Sequence, residues 1–138
     1  MKKLLIILLL LPLSVFSQTV PVDSCKIIMH RLLNEYRVEN GSGVLILDDT
    51  LTQLAQKWAK HMYDVDKLYH SNYGYAENCL SYGRNKWLYF ENQQGVKVIL
   101  SAWELSSAHN ENMLNPIHKK VGYGFYDGYY VQLFSNIL

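Results

Sequence analysis

Apolar residues recur every three or four positions in several stretches of the chain, which is the spacing of helices that bury one face. The first stretch predicts a helix that begins at Asp23 or Ser24 and runs to about Glu39. A second helix begins near Thr50, where Gln53 is placed for a capping box. The buried stripe of this second helix comprises Leu51, Leu54, Ala55, Trp58, Met62 and Val65.

The second half of the chain predicts two more helices and a hairpin. The apolar spacing places a third helix at residues 93–105, and Ser106 or Ser107 caps a short helix after it. Two β-prone runs flank Asp127 and Gly128, a pair typical of a tight hairpin turn. Residues 68–92 have no helical period and predict loops with a little strand. Helices first and the clearest strand pair last indicate an α+β fold.

The amino-terminal end has the order of charges and apolar residues that is typical of a secretory signal peptide. Lys2 and Lys3 precede an apolar run at residues 4–13, which is too short to span a bilayer as a helix. We therefore expect residues 1–17 to be removed and residues 18–138 to form a domain secreted to the periplasm or the exterior, without a transmembrane span. An uncleaved membrane anchor is the alternative.

The remaining domain has 138 minus 17, or 121, residues, which is enough for one core. Removal of Lys2 and Lys3 leaves 11 basic against 12 acidic residues, a net charge of −1. No block of like charge is present, so the sequence indicates no nucleic acid partner.

The chain has two cysteines, Cys25 and Cys79. Because an exported protein meets oxidising conditions, we expect a disulfide between them. In the chain-entropy model such a link stabilises the fold by about 4 kcal/mol. Two free buried thiols are the alternative.

Residues 68–78 read LYHSNYGYAEN, a tyrosine-rich run in which His70 and Glu77 stand out. Glu77 is its only charged residue, so this pair is the first candidate for a site. A second candidate, His109, follows in the stretch SAWELSSAHNENML. The other histidines are assigned to no site: His30 lies off its helix stripe, His61 is expected in solvent, and His118 is expected at a charged strand start.

Five stretches in the same order resemble the CAP superfamily, the SCP-like extracellular domains of cysteine-rich secretory, antigen 5 and pathogenesis-related proteins. They are LLNEYRVENG, LILDDTLTQLAQKWAKHM, HSNYGYAEN, WELSSAHNENML and VGYGFYDGYYVQLF. The fourth is similar to the form of bacterial members. The resemblance covers nearly all of the expected secreted domain.

This resemblance implies an α-β-α sandwich, a small antiparallel sheet between helical layers. It also implies that His70, Glu77 and His109 converge in one surface cleft. Many eukaryotic members add a second glutamate three residues after a tryptophan, a position that Ser106 occupies here. Glu104 lies about 100° round the helix from that tryptophan and points elsewhere. The expected ligand-binding cleft is therefore His70, Glu77, Ser106 and His109.

Three interpretations of the cleft stay open from the sequence. Neutral His70 and His109 beside a carboxylate meet the minimum for zinc or another divalent metal. Alternatively, Glu77 orients a histidine as general base on water, Ser106 or Ser71, which would make the protein an extracellular hydrolase. No nucleophile motif supports that chemistry, and no catalytic residue is assigned. The third interpretation is a hydrogen-bonded polar cluster that only shapes the loop.

Binding is a different class of function from catalysis, and the resemblance favours it. Family members include proteins that bind sterols or fatty acids and proteins that act on membranes or receptors. Tyr69, Tyr73 and Tyr75 either line a groove for a small apolar ligand or cover the edge of the sheet. We predict a secreted domain that binds a metal, a small apolar ligand or an extracellular or cell-surface partner.

Overall fold

The computed structural model describes residues 22–84 and 92–137. The expected signal peptide and residues 85–91 of the predicted loop lie outside the described residues. The elements in chain order are α1 (Val22–Glu39), β1 (Ile46–Leu47), α2 (Asp49–Val65), β2 (Ala76–Ser81), α3 (Gln93–Glu104), α4 (Ser107–Leu114), β3 (Lys120–Tyr126) and β4 (Tyr129–Ser135). Within the described ranges, no helix has both the length and the apolar character that a membrane crossing needs.

The strands form one four-stranded sheet in the order β1-β3-β4-β2. β3 and β4 are the predicted hairpin. Asp127 and Gly128 form its two-residue turn, and both have positive φ, as a type I′ turn requires. β4 also pairs antiparallel with β2. β1 adds a parallel pair of two residues to β3, so the sheet is mixed rather than wholly antiparallel.

Helices cover both faces of this sheet, which confirms the α-β-α sandwich. On one face α1, α3 and α4 contribute a core that includes Met29, Leu33, Ile99, Trp103 and Met113. On the other face α2 contributes Leu51, Ala55, Ala59 and Met62. The sheet is buried on both sides, as the long apolar runs of β3 and β4 require.

Helix α2 packs unusually close to β3. A Cβ atom on Gly124 would lie 2.0 Å from the carbonyl oxygen of Ala55. One on Gly122 would lie 2.2 Å from the carbonyl carbon of Leu51. Both contacts are with backbone atoms, so only glycine fits at these two positions.

The ends of α2 differ from the prediction by a residue or two. The Asp48 carboxylate accepts a hydrogen bond from the Leu51 amide and caps a helix that begins at Asp49, so Thr50 is not the cap. At the other end Asp66 is left-handed and stops the helix. Val65, expected in the buried stripe, is half exposed because it lies in this last turn.

Cys25 and Cys79 are both buried, and no disulfide joins them in the structure. Cys25 lies in the core between the sheet and α1, whereas Cys79 lies in the core between the sheet and α2. The sheet therefore separates the two sulfur atoms. The expected disulfide would need two side chains that the fold sends to opposite faces.

Candidate functional site

The candidate site lies at the edge strand β2 and in the loop that leads to it from α2. This loop is fastened to α2 just before His70, because the Trp58 indole donates to the carbonyl oxygen of Tyr69 at 3.0 Å. The Tyr69 hydroxyl also hydrogen-bonds to Nε2 of His61. The backbone position of His70 is thus set by the helix.

The carboxylate of Glu77 is the centre of the site. Its Oε1 accepts from the Ser71 amide at 2.9 Å and from the Cys79 thiol at 3.2 Å. The same oxygen lies 2.7 Å from Nδ1 of His70. The Glu77 side chain is only 5% exposed, and Oε2 makes no hydrogen bond with any described residue. A buried carboxylate oxygen without a partner is costly, so this atom points to a partner outside the described residues.

His70 is held at one nitrogen and open at the other. Its side chain is 64% exposed. A carboxylate only accepts hydrogen bonds, so Nδ1 of the neutral ring carries the hydrogen and donates it to Glu77. Nε2 then carries the lone pair, the arrangement by which a carboxylate prepares an imidazole to bind a ligand.

His109 reaches the same neighbourhood from α4. The Asn78 amide donates to the carbonyl oxygen of His109 at 3.0 Å, and the Asn112 amide donates to Asn78 Oδ1 at 3.0 Å. These bonds fasten α4 to β2 beside Glu77. Partial burial lowers the pKa of His109, and the charge of the nearby His70 lowers it further. The neutral form of His109 is therefore favoured near neutral pH.

Ser106 is the residue before α4, and it is half-buried. Its side chain makes no capping hydrogen bond. Among the described residues, no hydrogen bond joins the Ser106 hydroxyl to His70 or His109. Ser71, which follows His70 in the chain, accepts a hydrogen bond at its hydroxyl oxygen from the Tyr73 amide.

One group in the described part of the chain brings at least three potential metal ligands together. It comprises His70, Glu77 and Cys79, whose ligand atoms lie within 4.8 Å of one another. His109 is not a member of this group. The sequence predicts a disulfide for Cys79 and therefore does not indicate it as a ligand. The available signal was its position two residues after Glu77, which puts both side chains on one face of a strand.

The three histidines that were left out of the site have other contacts. His61 is exposed and stacks on Trp58. His30 lies 3.3 Å from the hydroxyl of Tyr123. His118 differs from its expected place at a charged strand start, because it is only 4% exposed and stacks on Phe134.

The sequence model of the CAP family, described as the cysteine-rich secretory protein family, matches residues 30–135. The chain belongs to the CAP family. All four expected cleft residues fall within the match. No curated protein shows significant sequence similarity to this CAP domain.

Solved structures share the CAP fold at low identity. An extracellular protein of Bacillus anthracis with an SCP domain has a TM-score of 0.70 and 20% identity, over 83% of this chain and 41% of its own. An outer surface protein of Borrelia burgdorferi has a TM-score of 0.67 and 18% identity, over 85% of this chain and 96% of its own. A cysteine-rich secretory protein of Staphylococcus aureus has a TM-score of 0.58 and 20% identity, over 83% and 40%. The chain thus spans about two fifths of the Bacillus and Staphylococcus proteins, and at these identities the likeness concerns the fold alone.

Proposed function

We propose that this CAP domain is a binding protein outside the cytoplasm, and that its ligand docks in the cleft of His70, Glu77, Ser106 and His109. The observation that carries the proposal is that the two oxygens of the Glu77 carboxylate have different surroundings. One oxygen orients an exposed imidazole, and the other is buried without a partner among the described residues. A clasp that only closed the loop would have no use for a second, buried oxygen that lacks a partner among the described residues.

Export is supported by the signal-peptide pattern of residues 1–17. The similar Bacillus and Borrelia proteins are described as extracellular and as an outer surface protein. We expect the protein recovered from the periplasm or the medium to begin near Gln18, which intact-mass measurement tests. An intact amino terminus in the membrane fraction would contradict export.

A divalent metal ion, with zinc first, is the ligand whose chemistry these residues fit best. His70 offers an oriented imidazole nitrogen, and His109 offers one that is favoured in its neutral form. Glu77 offers the carboxylate oxygen that lacks a partner. A bound zinc ion would supply a Lewis acid for a further, external ligand.

The test is a calorimetric titration of the secreted protein with zinc, beside a variant with both His70→Ala and His109→Ala. The matched control is His30→Ala, which removes a half-buried histidine of α1 that lies beside Tyr123, outside the cleft. We expect saturable binding that the control keeps and the double variant loses. Absence of binding, with a double variant that is merely less stable, would make the cluster structural and overturn the metal proposal.

Hydrolysis is not favoured as the function of this cleft. A serine nucleophile needs a base in hydrogen-bonding reach. In the described structure neither the Ser106 nor the Ser71 hydroxyl bonds to His70 or His109. A lack of turnover on peptide, ester and glycan panels is the expected result.

A small apolar ligand is a second candidate because a groove of about 660 Å³ lies between α1, α2 and the β3–β4 turn. Its lining residues include Lys26, Gln56, Tyr63, Phe125 and Tyr126. Displacement of a fluorescent fatty acid, measured with Tyr126→Ala as the altered groove, tests this candidate. Equal binding by both proteins would exclude the groove as its site.

A further inference from the structure

The thiol of Cys79 belongs to the cleft although it also borders the core. Its Sγ donates a hydrogen bond to Glu77 Oε1 at 3.2 Å, and the residue is 5% exposed. Sequence alternation along β2 puts Cys79 and Glu77 on the face towards α2, whereas Asn78 points to α4. The Cys79 thiol and the exposed imidazole of His70 thus contact the same oxygen of Glu77.

We propose that Cys79 is a metal ligand, and that His70, Glu77 and Cys79 form a site for zinc or a similarly thiophilic divalent ion. The proposal rests on the proposed function of the cleft and specifies it further. In this site the ion is bound by one nitrogen, one oxygen and one sulfur atom, rather than by two histidines and a carboxylate. Such a donor set excludes magnesium and calcium, which take oxygen ligands, and favours ions that bind thiolate.

Two of the three distances between the donor atoms are known, and both are somewhat shorter than those of a tetrahedral zinc site. Zinc bond lengths of about 2.0 Å to nitrogen and oxygen and about 2.3 Å to sulfur imply about 3.3 Å between nitrogen and oxygen and about 3.5 Å between sulfur and oxygen. The structure has 2.7 Å from His70 Nδ1 to Glu77 Oε1, and 3.2 Å from Cys79 Sγ to the same oxygen. An ion would move the nitrogen and the sulfur away from this oxygen by about 0.6 Å and about 0.3 Å, and would hold the ligand atoms of His70 and Cys79, which lie within 4.8 Å of each other, at about 3.5 Å.

Charge balance also favours the thiol as a ligand. A carboxylate and a thiolate together carry two negative charges, which offset the two positive charges of the ion. The occupied site is then neutral, and a neutral group is far cheaper to bury than a charged one. Two histidines with Glu77 would leave one uncompensated positive charge beside a buried strand.

Binding would exchange protons without any redox step. Burial and then the Glu77 carboxylate raise the pKa of the Cys79 thiol, so it loses its proton to solvent only as the sulfur–metal bond forms. His70 moves its proton from Nδ1 to Nε2 when Nδ1 becomes the ligand, so the ring stays neutral. Glu77 binds the ion in place of the hydrogen bonds from His70 and Cys79. One proton is released for each ion bound.

Three protein ligands leave the fourth position of a tetrahedral ion open. His70 is the exposed member of the group, so the open position faces the side from which external molecules arrive. The ion would thus act as the attachment point for a ligand with a free lone pair, such as a carboxylate or an imidazole.

The first test is a titration with Co²⁺, which takes the place of zinc and reports sulfur ligation by a thiolate-to-cobalt charge-transfer absorption. The reduced, secreted protein is titrated beside Cys79→Ser and Cys25→Ser. Cys25 is the matched control, since it is a second buried cysteine in the opposite core layer. We expect one equivalent of Co²⁺ with the charge-transfer band in the wild type and in Cys25→Ser, and loss of the band in Cys79→Ser. Zinc affinity of Cys79→Ser is expected to fall by at least about tenfold.

A measurement on the wild-type protein keeps the proposal testable if the Cys79→Ser variant fails to fold. Zinc calorimetry in buffers of different ionisation enthalpy counts the protons released, and one proton per zinc is expected. Binding that His70→Ala/His109→Ala abolishes, but that shows neither the cobalt–sulfur band nor proton release, would overturn the role of Cys79 and leave the cleft proposal standing. Absence of any zinc or cobalt binding would overturn both.

Discussion

At the scale of single residues, the site is organised by one carboxylate. Glu77 uses Oε1 to collect three donors, from a loop backbone, an exposed ring and a buried thiol. None of these donors is a permanent cation, so the negative charge is held in place without being neutralised. The proposed metal ion would supply the cation that the described residues around Glu77 do not.

Glu77→Gln tests the charge of this carboxylate while it keeps the shape of the side chain. The amide oxygen can still accept from Ser71, so we expect the free energy of unfolding to change by no more than about 1 kcal/mol. Zinc affinity, measured by calorimetry, is expected to fall by about 10-fold to 100-fold because a neutral oxygen is a poor ligand. Glu35→Gln, which alters an exposed carboxylate on α1, should leave the affinity unchanged. Equal affinities for both variants would contradict the role of Glu77.

His118 makes stability depend on pH. It is buried, and neither ring nitrogen makes a hydrogen bond with a described residue. Burial, and then the positive charge of Arg37, lower the pKa of His118 in the folded protein. The unfolded chain titrates at about pH 6.5, so below that value it binds more protons than the folded chain does. Stability is therefore full above that pH and is lost as the pH falls towards the folded pKa.

We expect the urea midpoint to fall between about pH 7 and pH 5, and to fall less in His118→Phe, which keeps the stacking on Phe134. Some slope should remain in this variant, because the pKa values of His30 and His109 are also lowered by burial. The same slope in wild type and His118→Phe would show that His118 does not contribute.

The residues of the cleft could be predicted only in part from the sequence. His70 and Glu77 were found because they stand in an otherwise uncharged run. Cys79 was not, because an exported chain with two cysteines suggests a disulfide, and only the sheet shows that the two lie on opposite faces. The burial of His118 was also hidden, since the lysines that follow it suggest a charged surface.

At the scale of elements, the contact between α2 and β3 holds the loop of the site in position. Trp58 on α2 fastens the loop before His70, while the helix backbone rests on the glycines of β3. The position of the imidazole thus depends on how closely a helix can approach a strand.

Gly124→Ala should disrupt this approach. The new methyl group would meet the backbone oxygen of Ala55, which cannot rotate away, so we expect a loss of about 3 kcal/mol or more in the free energy of unfolding. Gly43→Ala is the control, because nothing lies within 4 Å of a Cβ there. Urea unfolding measures both changes, and a mild effect of Gly124→Ala would show that α2 can move outwards.

The helices were predictable because their apolar spacing is a local property, and the closing hairpin was predictable from its turn pair. β2 was predicted only as loop with a little strand. Its sequence, AENCLS, has no clear alternation of apolar and polar residues, and its pairing depends on β4, which lies some fifty residues away. A pattern within one segment cannot show a partner at that distance.

At the scale of the whole molecule, the sheet divides the interior into two separate cores. Each contains one cysteine, so folding itself keeps the thiols apart. We expect the protein isolated from its natural compartment to react with two equivalents of a thiol reagent once it is denatured, provided that any bound metal is first chelated. A mass that is two hydrogen atoms lower would instead reveal a Cys25–Cys79 disulfide and a different arrangement of β2.

The strand order bears on the compartment in which the cleft can form. β2 pairs with β4 alone among the described strands, and β4 is the last of them along the chain. A chain that is threaded through a membrane from its amino-terminal end delivers Glu77 long before the strand that will hold it. Under the proposed export, the cleft is assembled on the far side of the membrane, and the proposed metal ion would be drawn from that compartment rather than from the cytoplasm.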